Sequence, residues 1–155
     1  PNLLTKREIR IQVLADLELP EKGIIWDIGA GCGSIGLEAL KLRSNLKLFS
    51  IDKRIGSKGL IKENAIRLGV NPVEIFEEDI NIFLNKKNNY LLKANRVIIG
   101  GCDKKTKIRL IKELSNQMMI GDIIIIPIIN LEVINELRQI FKDCNFATNL
   151  TLLQT

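Results

Sequence analysis

Asp27, Gly29, Gly31 and Gly33 stand at alternate positions in IIWDIGAGCGS (Ile24 to Ser34), behind a short apolar run and ahead of a helical pattern, Ser34 to Leu42. Glycines so spaced let a ligand approach the main chain, and the first turn of the helix offers free N–H donors. A dinucleotide fingerprint reads G-x-G-x-x-G. Here the third glycine comes one residue early, which disfavours a nicotinamide dehydrogenase. Two more acids follow in chain order. Asp52, in FSIDK, suits the two hydroxyls of a ribose, and Asp79, in FEEDI, stands where an adenine amino group can be met. Glycine loop, ribose acid and adenine-side acid at three successive strand ends form one nucleoside slot. The bland alternative is a tight turn with two surface acids.

Absences narrow the chemistry further. The chain has no histidine, which removes the Ser-His-Asp triad, the HExxH zinc helix and any imidazole base. Cys32, Cys102 and Cys144 form no CxxC pair, so neither a metal site nor a disulfide framework is expected, and a reducing cytoplasm fits best. Chemistry must then use carboxylates, hydroxyls, amines, thiols or the substrate's own electrons, and no catalytic residue can be singled out. A net charge of +5 suits an anionic partner or simply a soluble basic surface. Aromatic residues at 5% leave few platforms for stacking bases. The longest apolar run, IIIIPII (Ile123 to Ile129), falls far short of the roughly 20 residues that cross a bilayer, so no membrane partner is expected.

Elements must hold these residues in place. The 155 residues, 46% hydrophobic and 26% charged, suit one globular domain with a full core. Strands are expected at Ile24 to Ile28, Leu46 to Ile51, Val73 to Glu77, Arg96 to Ile99, Ile123 to Ile129 and Phe146 to Leu153. Helical spacing over Lys104 to Met118 aligns Ile108, Ile111, Leu114 and Met118, and Leu131 to Phe141 aligns Leu131, Ile134, Leu137 and Phe141. Continuously apolar strands imply a parallel sheet covered on both faces. The expectation is therefore an α/β, doubly wound, six-stranded sheet with ligand beyond the carboxyl ends of the strands, at the switch point. Pro127 would remove a ladder donor, so a bulge or strand end is expected there.

The three acids and the glycine loop resemble the Rossmann-like class I S-adenosylmethionine-dependent methyltransferases. The resemblance implies that Asp27 and the loop Gly29, Ala30, Gly31, Cys32 and Gly33 surround the methionyl part of the cofactor. It places Asp52 on the ribose, Asp79 and Ile80 by the adenine, and Gly100 at the cofactor as well. The D/N-P-P-Y/F motif of many N-methyltransferases is missing after strand four, which ends VIIGG (Val97 to Gly101), and there is no Pro-Cys nucleophile. Cys102 reads as a small loop residue.

LLTKREIR (Leu3 to Arg10), WDIGAGCGS, VIIGG and IINLEV (Ile128 to Val133) together look like the decarboxylating precorrin methyltransferases of cobalamin biosynthesis. That resemblance implies methylation of carbon 15 of a tetrapyrrole with loss of carbon dioxide from the ring C acetate. It implies a Thr-centred opening segment, residues 1–20 with Thr5, closing over the cofactor; read locally, Thr5 with Glu8 forms a capping box. Lys6, Arg7, Arg10, Lys104 and Lys105 gain an anionic tetrapyrrole partner, and Gly101 and Glu132 join the substrate side, Glu132 otherwise serving a helix dipole. The family resemblance further implies a homo-oligomer, such as a tetramer, and fusion to a second precorrin methyltransferase domain in some members. A chain starting at Pro1 without an initiating methionine is expected to be processed or cut from a longer one. A seventh, antiparallel strand would follow TLLQT, so an edge that a partner subunit could cover is expected. Two rival functions remain at this point: an RNA adenine methyltransferase, and a non-catalytic S-adenosylmethionine-binding subunit.

Overall fold

A computed structural model describes residues 5–86 and 94–154. Leu3 and Leu4 of the opening motif lie outside them. The elements are α1 (Arg7–Asp16), β1 (Gly23–Ile28), α2 (Ser34–Leu42), β2 (Leu46–Asp52), α3 (Ser57–Leu68) and β3 (Glu74–Glu77). They continue with α4 (Ile80–Asn85), β4 (Arg96–Ile99), α5 (Lys104–Ser115), β5 (Ile123–Ile125), a 3-10 turn (Leu131–Val133) and α6 (Ile134–Asp143). The sheet runs β3-β2-β1-β4-β5 and every pairing is parallel. Strand order reverses between β1 and β4, so the loops after these two strands diverge and leave the crevice that doubly wound sheets use for ligands.

Period-two alternation builds both cores. Ile25, Leu48, Ile75 and Ile98 face one side, packing with Val13 and Leu17 from the N-terminal segment, Leu37 and Leu40 of α2, and Ile61 and Ala65 of α3. Trp26, Ile28, Ile51, Val97 and Ile99 face the other, against Ile80 and Phe83 of α4 and Leu110 and Leu114 of α5. β1 is therefore apolar on both faces, as its unbroken IIW run implied, whereas β2 and β3 keep exposed Lys47, Glu74 and Glu77 between their buried residues. Trp26 stacks on Phe49 and Phe76 at 5.0 and 6.0 Å between ring centroids, with Phe83 tilted at 5.5 Å.

Arg96 ties the lower end of the sheet together. It is buried, and its guanidinium donates to the carbonyls of Leu17, Glu18, Asn95 and Gly121. The end of α1 and the turn before β5 are thereby fastened to β4, and all these acceptors are main-chain oxygens.

The structure corrects several expectations. Five strands form among the described residues, not six. The segment Phe146 to Leu153 makes no ladder; beyond Phe146, which meets Phe141 edge-on at 5.5 Å, its residues are exposed. Apolar, β-branched composition promotes a strand only where a sheet edge lies alongside. β5 stops at Ile125 rather than Ile129, since its partner β4 ends at Ile99 and Pro127 brings no N–H to a ladder. The last helix opens with one 3-10 turn capped by Asn130, whose Oδ1 accepts from Glu132 N at 2.9 Å. Thr5 does not cap α1: the N-cap position is Lys6, whose side chain does not cap the helix. The Thr5 carbonyl instead accepts from Arg10 Nη1 at 2.7 Å.

Candidate active site

Four strand ends meet at one cleft of about 220 Å³. Gly29 comes from the end of β1, Asp52 to Arg54 from β2, Glu78 to Asn81 from β3, and Gly101 to Asp103 from β4, with Thr106 of α5 closing the wall. The tips of β1 and β4 touch through glycine. Gly29 has φ +70°, and a Cβ there would lie 2.8 Å from Gly101 N; a Cβ on Gly100 would lie 2.9 Å from the Gly29 carbonyl oxygen. Gly101, by contrast, faces open space. Bare backbone is thus needed at 29 and 100 for the strand tips to approach, and at 101 it leaves the cleft clear.

Asp52 is the electrostatic centre. It is buried, and its Oδ2 accepts from Gly31 N at 2.8 Å, so the glycine loop and β2 are clamped to each other. Arg54 donates through Nε to Oδ1 at 2.8 Å, through Nη2 to Oδ2 at 2.7 Å and through its main-chain N to Oδ1 at 3.0 Å. Burial works against the charged form of Asp52, but the Arg54 side chain and then the Arg54 and Gly31 N–H groups outweigh it and hold the carboxyl below its usual range.

Asp79 caps α4, with Oδ1 accepting from Asn81 N at 2.8 Å. Its other oxygen faces the cleft with Lys53 Nζ at 3.9 Å. Asn81 in turn donates to Thr106 Oγ1 at 3.0 Å, and Thr106 is held by Asp103, the cap of α5. Backbone and hydroxyl donors from Thr106 keep Asp103 ionised below the ordinary carboxylate range. Burial raises the Cys102 thiol above its ordinary value, which suits a loop residue rather than a nucleophile.

Of the residues singled out by sequence, Gly29, Asp52, Asp79, Ile80 and Gly101 line the cleft. Gly31 acts from behind, on Asp52. Ala30, Cys32, Gly33 and Gly100 shape the loop walls without lining it, the main chain turning left-handed at Gly29, Gly31 and Gly33. Asp27 points elsewhere: it is buried, with Oδ2 accepting from Gly36 N of α2 at 3.1 Å. Arg10 is bound to Glu38 at 2.9 Å, tying α1 to α2, and Lys104 pairs with Glu136 at 2.8 Å. Thr5 and the exposed Lys6, Arg7, Lys105 and Glu132 lie off the cleft lining. Sequence reasoning missed Lys53, Arg54, Glu78, Asn81, Asp103 and Thr106. The cap spacing D-x-x-T of Asp103 and Thr106 was a readable signal; the Arg54 fork had none.

A precorrin methyltransferase domain matches residues 2–154. The chain belongs to the precorrin methyltransferase family. It is 32% identical over 148 residues to a probable cobalt-precorrin-6B C(15)-methyltransferase (decarboxylating) of Saccharolobus solfataricus, covering 93% of this chain and 71% of that one. Solved members share the fold. The precorrin-6y C5,15-methyltransferase of Geobacter metallireducens superposes with a TM-score of 0.79 at 24% identity, over 93% of this chain and 74% of that one. The precorrin 8W decarboxylase of Methanobacterium thermoautotrophicum gives 0.80 at 21%, over 96% and 76%. Among the described residues of this precorrin methyltransferase domain, the cleft at the β1/β4 switch is where acids and bare backbone meet.

Proposed function

We propose that this chain is an S-adenosylmethionine-dependent C-methyltransferase that methylates carbon 15 of a precorrin tetrapyrrole and removes the ring C acetate carboxyl in cobalamin biosynthesis. The observation that carries the reading is the convergence of four strand ends on one cleft, in a chain of this family, with Asp52 and Asp79 along its wall. The residues fit a nucleoside. Asp52 presents a carboxylate held ionised for two hydroxyls, and Asp79 keeps one oxygen for an adenine amino group. Ile80 follows it on the adenine side, and Gly101 adds no side chain to the cleft. The loop from Gly29 to Gly33, with Gly100 behind it, would hold the methionyl part, and Thr5 would close from the N-terminal segment.

When bound, S-adenosylmethionine supplies an electrophilic methyl on a sulfonium. The protein's part is placement and exclusion of water, since a chain without histidine offers no imidazole base. A conjugated macrocycle brings its own nucleophilic carbon and can take up the electrons released as carbon dioxide leaves. Its carboxylates would meet basic side chains such as Lys6, Lys53 and Lys105 around the mouth. Gly101 and Glu132 would stand on that substrate side, with Arg10 fixing the N-terminal helix that carries Lys6.

Trp26, Phe49, Phe76 and Phe83 sit in one interior cluster and cannot stack on bases, which argues against an RNA substrate. Among the described residues no helix is long and apolar enough to cross a membrane. We read the domain as one catalytic unit of a cytoplasmic homo-oligomer, a reading supported by the free thiols of Cys102 and Cys144 and by exposed Ile120, Ile129 and Leu152. Mass spectrometry of a reconstituted reaction tests the function: one methyl gained and one carbon dioxide lost is expected. Binding of S-adenosylmethionine without turnover of any precorrin would refute it in favour of a non-catalytic subunit. Asp52→Ala should weaken cofactor binding by about 1.5 to 3 kcal/mol, the worth of charged hydrogen bonds; calorimetry showing unchanged affinity would reject Asp52 as the ribose acid.

A further inference from the structure

We infer that Arg54 is a built-in competitor for the ribose position, so that a nucleoside enters by exchanging its diol for the Arg54 guanidinium on Asp52. The inference rests on the reading of Asp52 as the ribose acid.

A carboxylate offers about four acceptor positions. On Asp52 all four are filled: Gly31 N and Arg54 Nη2 on Oδ2 at 2.8 and 2.7 Å, Arg54 N and Arg54 Nε on Oδ1 at 3.0 and 2.8 Å. The side chain of Asp52 is only 4% exposed, which leaves no free face for a further pair of donors. Two of the four donors are main-chain groups fixed by the glycine loop and by the turn after β2. The other two belong to one side chain, itself 45% exposed at the cleft wall and free to swing into solvent. Only the guanidinium can leave.

Its shape also matches what would replace it. Two parallel N–H groups meet the two carboxylate oxygens, as two neighbouring hydroxyls of a ribose would. The fork keeps a buried carboxylate paired and charged, so the acceptor is already ionised and oriented when ligand arrives. The consequence is a lowered apparent affinity, since only the fraction of molecules with Arg54 displaced can accept the diol. A ligand without a diol requires no exchange and escapes that penalty. Salt has a sign as well. Screening weakens the half-exposed ion pair, so added salt should favour displacement and tighten binding of a net-neutral ligand.

The test is calorimetry at pH 8 with S-adenosylhomocysteine and with 5′-methylthio-2′,3′-dideoxyadenosine, on the parent protein, Arg54→Met, Arg54→Lys and Asp52→Ala. Arg54→Met should bind S-adenosylhomocysteine roughly fivefold to thirtyfold tighter, with Arg54→Lys between it and the parent. The dideoxy ligand should bind all three alike, and raising salt should tighten S-adenosylhomocysteine on the parent but not on Arg54→Met. Equal or weaker binding of S-adenosylhomocysteine to Arg54→Met, an equal gain for both ligands, or a salt response shared by parent and variant each overturns the exchange. Asp52→Ala tells the failures apart. If it binds S-adenosylhomocysteine as well as the parent does, the ribose assignment is wrong and the exchange falls with it. If it binds weakly while Arg54→Met shows no gain, Asp52 holds the ribose and only the competitor role is refuted. On the parent alone, S-adenosylhomocysteine binding that stays equal or weakens as salt rises also overturns the exchange, and that reading needs no variant to fold.

Discussion

Replacing Asp27 by asparagine should make the protein more stable at neutral and alkaline pH. Asp27 is 3% exposed, and burial pushes its carboxyl from the usual 3.8 to about 7; the Gly36 N–H opposes the shift, and the charge of Asp52 adds to it. A folded pKa above the unfolded one means that the native state holds the proton more tightly. Stability from this group is therefore full below about pH 4 and is lost as pH rises toward 7 and beyond. A difference of roughly three units at 1.36 kcal/mol each amounts to about 4 kcal/mol at pH 8, an upper figure for a buried group. The amide of the variant keeps an oxygen for Gly36 N and cannot ionise. Urea unfolding of parent and variant from pH 4.5 to 8 reads the effect: the variant's advantage should be least at the acid end and grow steadily to neutrality. Because the chain has no histidine, no imidazole titration overlaps this range. A difference between the two proteins that stays constant from pH 5 to 8 would refute the placement of Asp27 as a buried carboxyl.

Three further variants probe the strand tips and the lower end of the sheet. Gly29→Ala adds a Cβ 2.8 Å from Gly101 N at φ +70° and should destabilise the fold by about 1 to 3 kcal/mol. Gly101→Ala meets nothing within 4 Å, should leave the melting temperature unchanged, and should weaken S-adenosylhomocysteine binding by filling the cleft; equal melting temperatures for both variants would contradict the close approach of β1 and β4. Arg96→Met strands the carbonyls of Leu17, Glu18 and Gly121, while Asn95 O keeps the Ile123 N–H, and should remove about 3 kcal/mol or more, read as a lower urea midpoint. A loss under about 0.5 kcal/mol would mean those carbonyls are otherwise satisfied.

Asp27, the alternating glycines, Asp52 and Asp79 could be read as a nucleoside slot because chain order fixes which strand end each occupies once the sheet is known to be parallel. The apolar runs IIW of β1 and IIII at β5 declared that sheet, since a strand covered on both faces shows no polar alternation. Family membership was legible in LLTKREIR, WDIGAGCGS, VIIGG and IINLEV taken together. Other features belonged to packing. Whether Asp27 faced the cleft or α2 depended on the pleat and on Gly36, nine residues away, letting α2 approach. The Arg54 fork required Asp52 to be turned by Gly31 from a different loop. Phe146 to Leu153 had the composition of a strand and no neighbour to pair with. Arg96 looked like any basic residue until four carbonyls, two of them nearly eighty positions away, closed around it. Local pattern determines period, turns and the order of chemical groups, because these depend on near neighbours along the chain. Direction and partnership of polar side chains are decided in three dimensions, where desolvation forces each buried donor and acceptor to find whatever distant group the packing brings within reach.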